Sequence, residues 1–177
     1  MREILSSRER EKVLQAVIFK EDAFCVTGIA NALGISKSFV SKYLELLSVK
    51  NVLKRVRSKY IANNSHITRS LKIMLNIISI DTSIFGKYKF IRAAGLFGSC
   101  AKGENTESSD TDIWLYINKA PEADLASLSA RLRKKIRNVK ILLLTADKIE
   151  KIKKEDPLFY HALSFGSIML YGENDVL

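Results

Sequence analysis

Two aspartates separated by one residue precede an apolar segment and are the chain's clearest candidates for chemistry. Asp110 and Asp112 lead into Ile113–Ile117, whose aromatic and β-branched residues predict a strand. On a strand, side chains two residues apart point to the same face, so the two carboxylates lie side by side. Because paired carboxylates repel each other unless a cation separates them, and because their oxygens suit Mg²⁺, this pair predicts a magnesium site. An acidic turn at a strand edge is the alternative.

A glycine–serine pair supplies the other half of such a site. The apolar run Phe90–Phe97 predicts a strand, and it ends directly at Gly98 and Ser99. A glycine lets the backbone approach a phosphate closely, while the serine hydroxyl and the amides of a following helical turn donate hydrogen bonds to it. The sequence therefore predicts a phosphate-binding turn opposite a metal-binding pair of carboxylates.

Together these residues resemble the signature of the DNA polymerase β-like nucleotidyltransferase superfamily, in particular its minimal nucleotidyltransferase branch. That signature is a Gly-Ser pair, a loop of about ten residues and Ser-Asp-x-Asp on a strand, and the resemblance spans residues 88–173. It implies that Asp110 and Asp112 are catalytic and hold Mg²⁺, and that ATP or another nucleoside triphosphate is the ligand or substrate. The phosphate-binding residues that it implies are Gly98, Ser99, Lys102 and Ser109. An exposed loop lysine is the alternative for Lys102.

One position departs from the family pattern. In the superfamily a third carboxylate on the next core strand completes a two-magnesium centre that aligns the attacking hydroxyl with the α-phosphate. Here that strand is 139–145, and Lys140 stands where the acid is expected. An ammonium repels a metal ion and can instead pair with Asp110 or Asp112. The sequence thus favours nucleotide binding with weak or absent catalysis, and it leaves the chain's status as an enzyme undecided.

The sequence also leaves a second function open. In this alternative, the chain is an active Mg²⁺-dependent nucleotidyltransferase that moves a nucleoside monophosphate onto a protein or another hydroxyl acceptor. Minimal nucleotidyltransferases act as antitoxin-type partners of small helical toxins, so the resemblance implies a toxin as a candidate protein partner.

The elements that carry these residues alternate between strands and helices. A helical stripe after Pro121 contains Leu128 and Leu132, the strand 139–145 follows, and Asp147 is a candidate cap for the next helix. The order β-turn-α-β-α-β-α predicts a small mixed sheet with helices on one face. The fold class is therefore α+β, with a nucleotidyltransferase-type domain at the C-terminal end.

The first third of the chain has a different organisation. A short helix capped by Thr27, a turn at Gly34 and a second helix from Ser36 predict a helix-turn-helix, and a basic hairpin over 52–62 follows. These features resemble winged helix-turn-helix regulators of the multiple-antibiotic-resistance-regulator kind over residues 8–62. The side chains predicted to contact double-stranded DNA are Lys37, Ser38, Ser41 and Lys42 on the second helix and Lys54, Arg55, Arg57 and Lys59 on the hairpin. A module for protein interaction or dimerisation, or a hairpin that is simply a solvated edge strand, is the alternative.

Charge and composition agree with an acidic partner. The 177 residues carry a net charge of +10, which favours nucleic acid or nucleotide as a ligand. We expect a winged helix-turn-helix domain at 1–64, a helical connector at 65–87 and a nucleotidyltransferase-like domain at 88–177. The charged N-terminus and the lack of a long apolar run predict a soluble, cytoplasmic protein with no membrane partner and, by analogy with winged-helix regulators, a candidate homodimer. Cys25 stands among apolar residues and is expected in the core.

Overall fold

The chain forms two compact units. The computed structural model describes residues 3–172 and 176–177. The units are Met1–Leu75 with Thr106–Ser108, and Asn76–Asn105 with Ser109–Leu177. The division between 75 and 76 falls inside one helix, and the expected three-segment domain organisation stays a prediction. In the described part of the chain no helix is both long and apolar enough to cross a membrane.

The first unit is built from helices and one antiparallel hairpin. Its elements are α1 (Arg8–Ile18), α2 (Val26–Leu33), α3 (Lys37–Val49), β1 (Leu53–Val56), β2 (Lys59–Ala62) and most of α4 (His66–Ser79). Ser7 and Ser36 cap α1 and α3, because each side chain accepts a hydrogen bond from the backbone amide three residues later. The apolar faces of the helices meet in one core around Leu14, Leu44 and Leu47, which are fully buried.

Cys25 corrects two of the sequence expectations. It is exposed rather than buried, and its sulfur accepts a hydrogen bond of 3.4 Å from the Gly28 amide. Cys25 is therefore the N-cap of α2, and the prediction that Thr27 caps this helix was wrong. The reason lies in the preceding residue. Phe24 pairs with Tyr60 and is buried, so the next side chain of this extended segment points outward.

The second unit is a four-stranded mixed sheet with helices. Its elements are the rest of α4, a 3₁₀ helix (Thr82–Lys87), β3 (Ile91–Phe97), α5 (Gly98–Lys102), β4 (Thr111–Ile117), α6 (Glu122–Lys135), β5 (Val139–Leu144), α7 (Ala146–Glu155), α8 (Pro157–Gly166) and β6 (Ile168–Gly172). The strand order is β5-β4-β3-β6, with β4 and β5 parallel and the other pairs antiparallel. The α+β class and the small mixed sheet are thus confirmed.

Helices cover both faces of this sheet, so the expectation of helices on one face was wrong. On one face Leu115 packs with Leu128 of α6, and on the other Trp114 packs with Leu163 of α8. Successive residues of β4 point to opposite faces and both sets are apolar, so each face needs its own cover.

Helix α7 begins two residues earlier than its expected cap, Asp147, would place it. Thr145 accepts a hydrogen bond of 3.3 Å from the Lys148 amide and is the N-cap, so the assignment of Asp147 was wrong. Asp147 lies in the first turn instead, where its negative charge interacts favourably with the helix dipole.

Candidate functional site

The candidate site lies at one end of the sheet, where β3, β4 and β5 are neighbours. Phe97, the last residue of β3, pairs with Asp112 of β4, and Asp112 pairs in turn with Lys140 of β5. Partner residues on adjacent strands point to the same face. The Asp112 carboxylate therefore lies between the Gly98–Ser99 turn on one side and the Lys140 side chain on the other.

The turn after β3 needs a glycine because Asp112 is so close. Gly98 has φ +69°, a conformation that other residues adopt at a cost, and a Cβ atom there would lie 2.5 Å from Asp112 Oδ2. A side chain at position 98 would push the carboxylate away. The Gly-Ser pair and the Asp-x-Asp pair, distant in sequence, are thus in direct contact.

Lys140 forms an ion pair inside the site. Its ammonium donates to Asp110 Oδ2 at 2.6 Å, and the side chains of the two residues are 68% and 42% exposed. The hydrogen bond and charge of Asp110 raise the pKa of Lys140, which keeps it cationic. Of the two carboxylates that the sequence offered as partners for Lys140, the structure selects Asp110.

Asp112 has a different environment from Asp110. Partial burial raises the pKa of the Asp112 carboxyl, the positive charge of Lys140 acts in the opposite direction, and repulsion from Asp110 adds to the rise. A cation near Asp112 is therefore favourable, and Lys140 supplies a positive charge that acts on it.

The donor set does not match a two-metal centre. Within the described residues, no group of three His, Cys, Asp or Glu side chains is placed to hold a metal ion. The position that would complete such a group carries an ammonium already hydrogen-bonded to Asp110. Two carboxylates have the right oxygen chemistry for one hard cation, so the predicted Mg²⁺ site at Asp110 and Asp112 stays a prediction.

Two neighbouring contacts hold these groups in place. The buried Cys100 thiol donates to the Asp110 carbonyl at 3.4 Å, which ties α5 to the start of β4. The Thr111 hydroxyl donates to the Arg137 carbonyl at 3.0 Å, and its amide donates to the Asn138 carbonyl at the same distance. The residue between the two aspartates thus fixes the turn that leads into β5.

Sequence reasoning missed a pair of asparagines behind the turn. The Asn76 side-chain amide donates to the Cys100 carbonyl and to Asn105 Oδ1, both at 2.9 Å, and the Asn105 amide donates back at 3.1 Å. Asn105 is buried. The sequence contained one indication of this pair. Asn76 interrupts the apolar segment of α4, and a polar side chain at such a position needs a hydrogen-bond partner.

The remaining predicted phosphate-binding residues surround the turn. Ser99 follows Gly98 in the first turn of α5 and is half-buried, whereas Lys102 ends α5 and is exposed. Ser109, also half-buried, immediately precedes Asp110. Their roles in binding phosphate stay predictions.

A cavity adjoins Lys140 on the open side of β5. It has a volume of about 310 Å³ and lies between β5 and α6. The residues that line it are Ser129, Arg133, Val139, Lys140, Ile141 and Leu143, and none of them is an acid. Because side chains alternate along a strand, the Lys140 side chain points to the sheet face opposite to that of Val139 and Ile141.

In the first unit, the residues predicted to contact DNA are on the surface. All eight are exposed: Lys37, Ser38, Ser41, Lys42, Lys54, Arg55, Arg57 and Lys59. The Arg55 guanidinium lies 6.0 Å from the centre of the Tyr60 ring, and Arg57 at the hairpin tip has φ +56°. Exposure is required for a DNA contact but is common to most cations, so these roles stay predictions.

Comparisons with known proteins concern mainly the second unit. The family model described as polymerase beta, nucleotidyltransferase matches residues 81–175, more than half of the chain. No curated protein matches significantly.

Two solved structures are also similar to the chain. A protein of Sulfolobus solfataricus assigned as a nucleotidyltransferase has 16% identity and a TM-score of 0.37, covering 60% of this chain and 86% of that one. A complex of a tri-AMPylated Shewanella oneidensis HEPN toxin with an MNT antitoxin gives 14% identity and a TM-score of 0.33, covering 59% and 73%. Scores this low add nothing to the match over residues 81–175.

Proposed function

Since the chain belongs to the polymerase beta nucleotidyltransferase family, we propose that its second unit binds a nucleoside triphosphate and transfers nucleotide weakly or not at all. The observation that carries this proposal is the ion pair of Lys140 with Asp110 beside the Gly98–Ser99 turn. The turn offers backbone and hydroxyl donors to phosphate oxygens. The family's metal-ion chemistry needs three carboxylates, and an ammonium stands where one of them would lie.

The nucleotide half of this proposal has a direct test. Calorimetric titration of ATP, once with Mg²⁺ and once with a chelator, should show binding in at least one condition. Ser99→Ala should weaken that binding, whereas Ser79→Ala, which removes an exposed hydroxyl at the end of α4, should leave it unchanged. Absence of binding in both conditions contradicts the proposal.

We further propose that the first unit is a winged helix-turn-helix domain that binds double-stranded DNA and regulates transcription. Two features support this. Helices α2 and α3 are joined through Gly34 in a left-handed conformation (φ +64°), as a tight turn between two helices requires. On the hairpin, Lys54, Arg57 and Lys59 form no ion pair with any other described residue, so their charges are available to phosphates.

Salt dependence tests this DNA-binding proposal. Affinity for mixed-sequence duplex DNA should fall steeply as salt rises, because each neutralised phosphate releases counterions. The triple variant Lys54→Ala, Arg55→Ala, Arg57→Ala should bind more weakly and with a shallower salt slope. A control with the same net charge removes three exposed cations elsewhere in the unit: Arg8, Lys12 and Lys50. Equal losses in both variants, or a flat salt response of the wild type, contradict the proposal.

Active transfer is the alternative, and the contact between Gly98 and Asp112 supports it, because the Gly-Ser turn lies against one of the two carboxylates predicted to be catalytic. In that case the acceptor is a protein, such as a toxin partner, or another hydroxyl compound. ATP labelled on the α-phosphate separates the two functions. Label transferred to an acceptor in the presence of Mg²⁺ supports the transferase, whereas bound but unreacted nucleotide supports the binding function.

A further inference from the structure

Lys140 is held in a position where it can replace a bound cation. Its Cα is in register with Asp112 on the parallel β4–β5 ladder, and its ammonium lies 2.6 Å from Asp110 Oδ2. The group formed by Asp110, Asp112 and Lys140 has two carboxylates and one ammonium, so its net charge is −1. The ammonium occupies one oxygen of the Asp110 carboxylate, so Lys140 and a divalent ion would compete for this carboxylate.

The same side chain has room to reach a second anion. The Lys140 side chain is 68% exposed, so its ammonium is accessible to a ligand beside Asp110. An ammonium has three donors, and Asp110 uses one of them. The others remain available for phosphate oxygens, for which a lysine acts as a point charge.

We propose that Lys140 is the resident cation of this site and that its ammonium contacts the triphosphate oxygens of a bound nucleotide in the place of a divalent metal ion, so that binding needs no such ion. This inference rests on the proposed function, since it concerns the same nucleotide. It extends that function by naming the cation of the site that contacts the phosphates of the ligand. It also gives the two carboxylates a role beside the turn predicted to bind phosphate: Asp110 orients the ammonium, and Asp112 adds a second negative charge near it.

The test is a set of calorimetric titrations of ATP into the full-length protein, each performed with EDTA and with Mg²⁺. The wild type should bind ATP in EDTA, and Mg²⁺ should change its Kd only slightly. Lys140→Met should weaken binding in EDTA by about tenfold or more, the loss expected for one charge-assisted contact. Mg²⁺ should then restore much of the affinity, because Asp110 is free to bind the ion.

Two further variants make the interpretation specific. Lys140→Arg keeps the charge and should retain binding in EDTA. Lys151→Met is the matched control, because Lys151 is also 68% exposed and paired with a carboxylate, Glu155. It should bind ATP like the wild type in both conditions. A second readout is the affinity for Mn²⁺ without nucleotide, measured by electron paramagnetic resonance, which should rise in Lys140→Met.

Each outcome distinguishes this inference from the proposed function. If the wild type binds ATP only with Mg²⁺, or if Lys140→Met binds as well as the wild type in EDTA, nucleotide binding stands and the resident-cation inference is overturned. If the wild type binds in neither condition, the proposed function itself fails. The fluorescence of Trp114, the chain's single tryptophan and 1% exposed, shows whether each variant is folded.

Discussion

The contact between Gly98 and Asp112 is the geometric basis of the candidate site, and replacing Gly98 with alanine tests it. Gly98→Ala adds one methyl group at a position with φ +69°, directed at Asp112 Oδ2. The variant should destabilise the second unit through two separate effects. One is the strain of a left-handed backbone, and the other is the overlap with the carboxylate.

The structure allows both effects to be estimated. A non-glycine residue in the left-handed region costs about 1–2 kcal/mol. The added Cβ would lie 2.5 Å from the oxygen, about 0.9 Å inside the 3.4 Å at which ordinary contact begins (3.4 − 2.5). Overpacking of this kind typically costs about 1–3 kcal/mol. We therefore expect Gly98→Ala to lose about 2–5 kcal/mol in the free energy of unfolding.

A double-mutant cycle separates the two effects. Asp112→Ala removes the oxygen but leaves its Cβ 3.5 Å from the new methyl group, which is ordinary contact. In the Asp112→Ala background, Gly98→Ala should therefore lose only the backbone cost. The coupling free energy between the two substitutions should be about 1–3 kcal/mol, opposite in sign to the destabilisation.

Urea unfolding followed by Trp114 fluorescence measures this cycle, because both residues and the tryptophan belong to the second unit. Gly34→Ala is the backbone control. Gly34 has φ +64° and nothing within 4 Å of its added Cβ, so it should lose about 1–2 kcal/mol, followed by circular dichroism. If the two substitutions at 98 and 112 are additive within about 0.5 kcal/mol, the carboxylate does not contact the turn and the reasoning is refuted.

Three other predictions concern separate features of the chain. Arg57→Gly should relieve the left-handed strain at the hairpin tip (φ +56°) and stabilise the first unit by up to about 1 kcal/mol, while weakening DNA binding; a loss of stability in urea unfolding would contradict this. The hydrogen bond from Lys135 lowers the pKa of Asp81 to about 2, and a lowered pKa stabilises the folded state above the unfolded-state pKa. Asp81→Asn should therefore be less stable than the wild type at neutral pH, and the difference should close as the pH falls from about 4 to 2; a constant difference would contradict it. Because Cys25 is exposed, whereas burial raises the pKa of the Cys100 thiol, iodoacetamide should label one cysteine per native chain by mass spectrometry, and rapid labelling of both would contradict the structure.

The sequence predicted those parts of the fold that depend on local pattern. The helical stripes of α1, α3 and α6 and the strand before Gly98 follow from apolar periodicity. The Gly-Ser and Asp-x-Asp pairs were identified because each has a fixed spacing relative to a strand. The covering of both sheet faces by helices was also present in the local pattern, because successive residues of β4 are apolar on both faces, and the expectation of helices on one face overlooked it.

The interactions that hold the site together were harder to predict because they join residues distant in sequence. The hydrogen bonds of Asn76 with Asn105 depend on how α4 meets the loop after α5. The choice of Asp110 rather than Asp112 as the partner of Lys140 depends on where the long lysine side chain ends, which strand register alone does not fix. The prediction that Cys25 is buried failed for a related reason. Its sequence neighbours are apolar, but the pairing of Phe24 with Tyr60 leaves the Cys25 side chain pointing outward, where it caps α2.

The central claim is that the phosphates of a nucleotide contact both the Gly98–Ser99 turn and Lys140. A crystal structure with a non-hydrolysable ATP analogue, grown without divalent ions, tests it most directly. We predict phosphate oxygens within hydrogen-bonding distance of the Ser99 hydroxyl and of the Lys140 ammonium. An analogue bound at another surface, or crystals without bound analogue at saturating concentration, would contradict the claim.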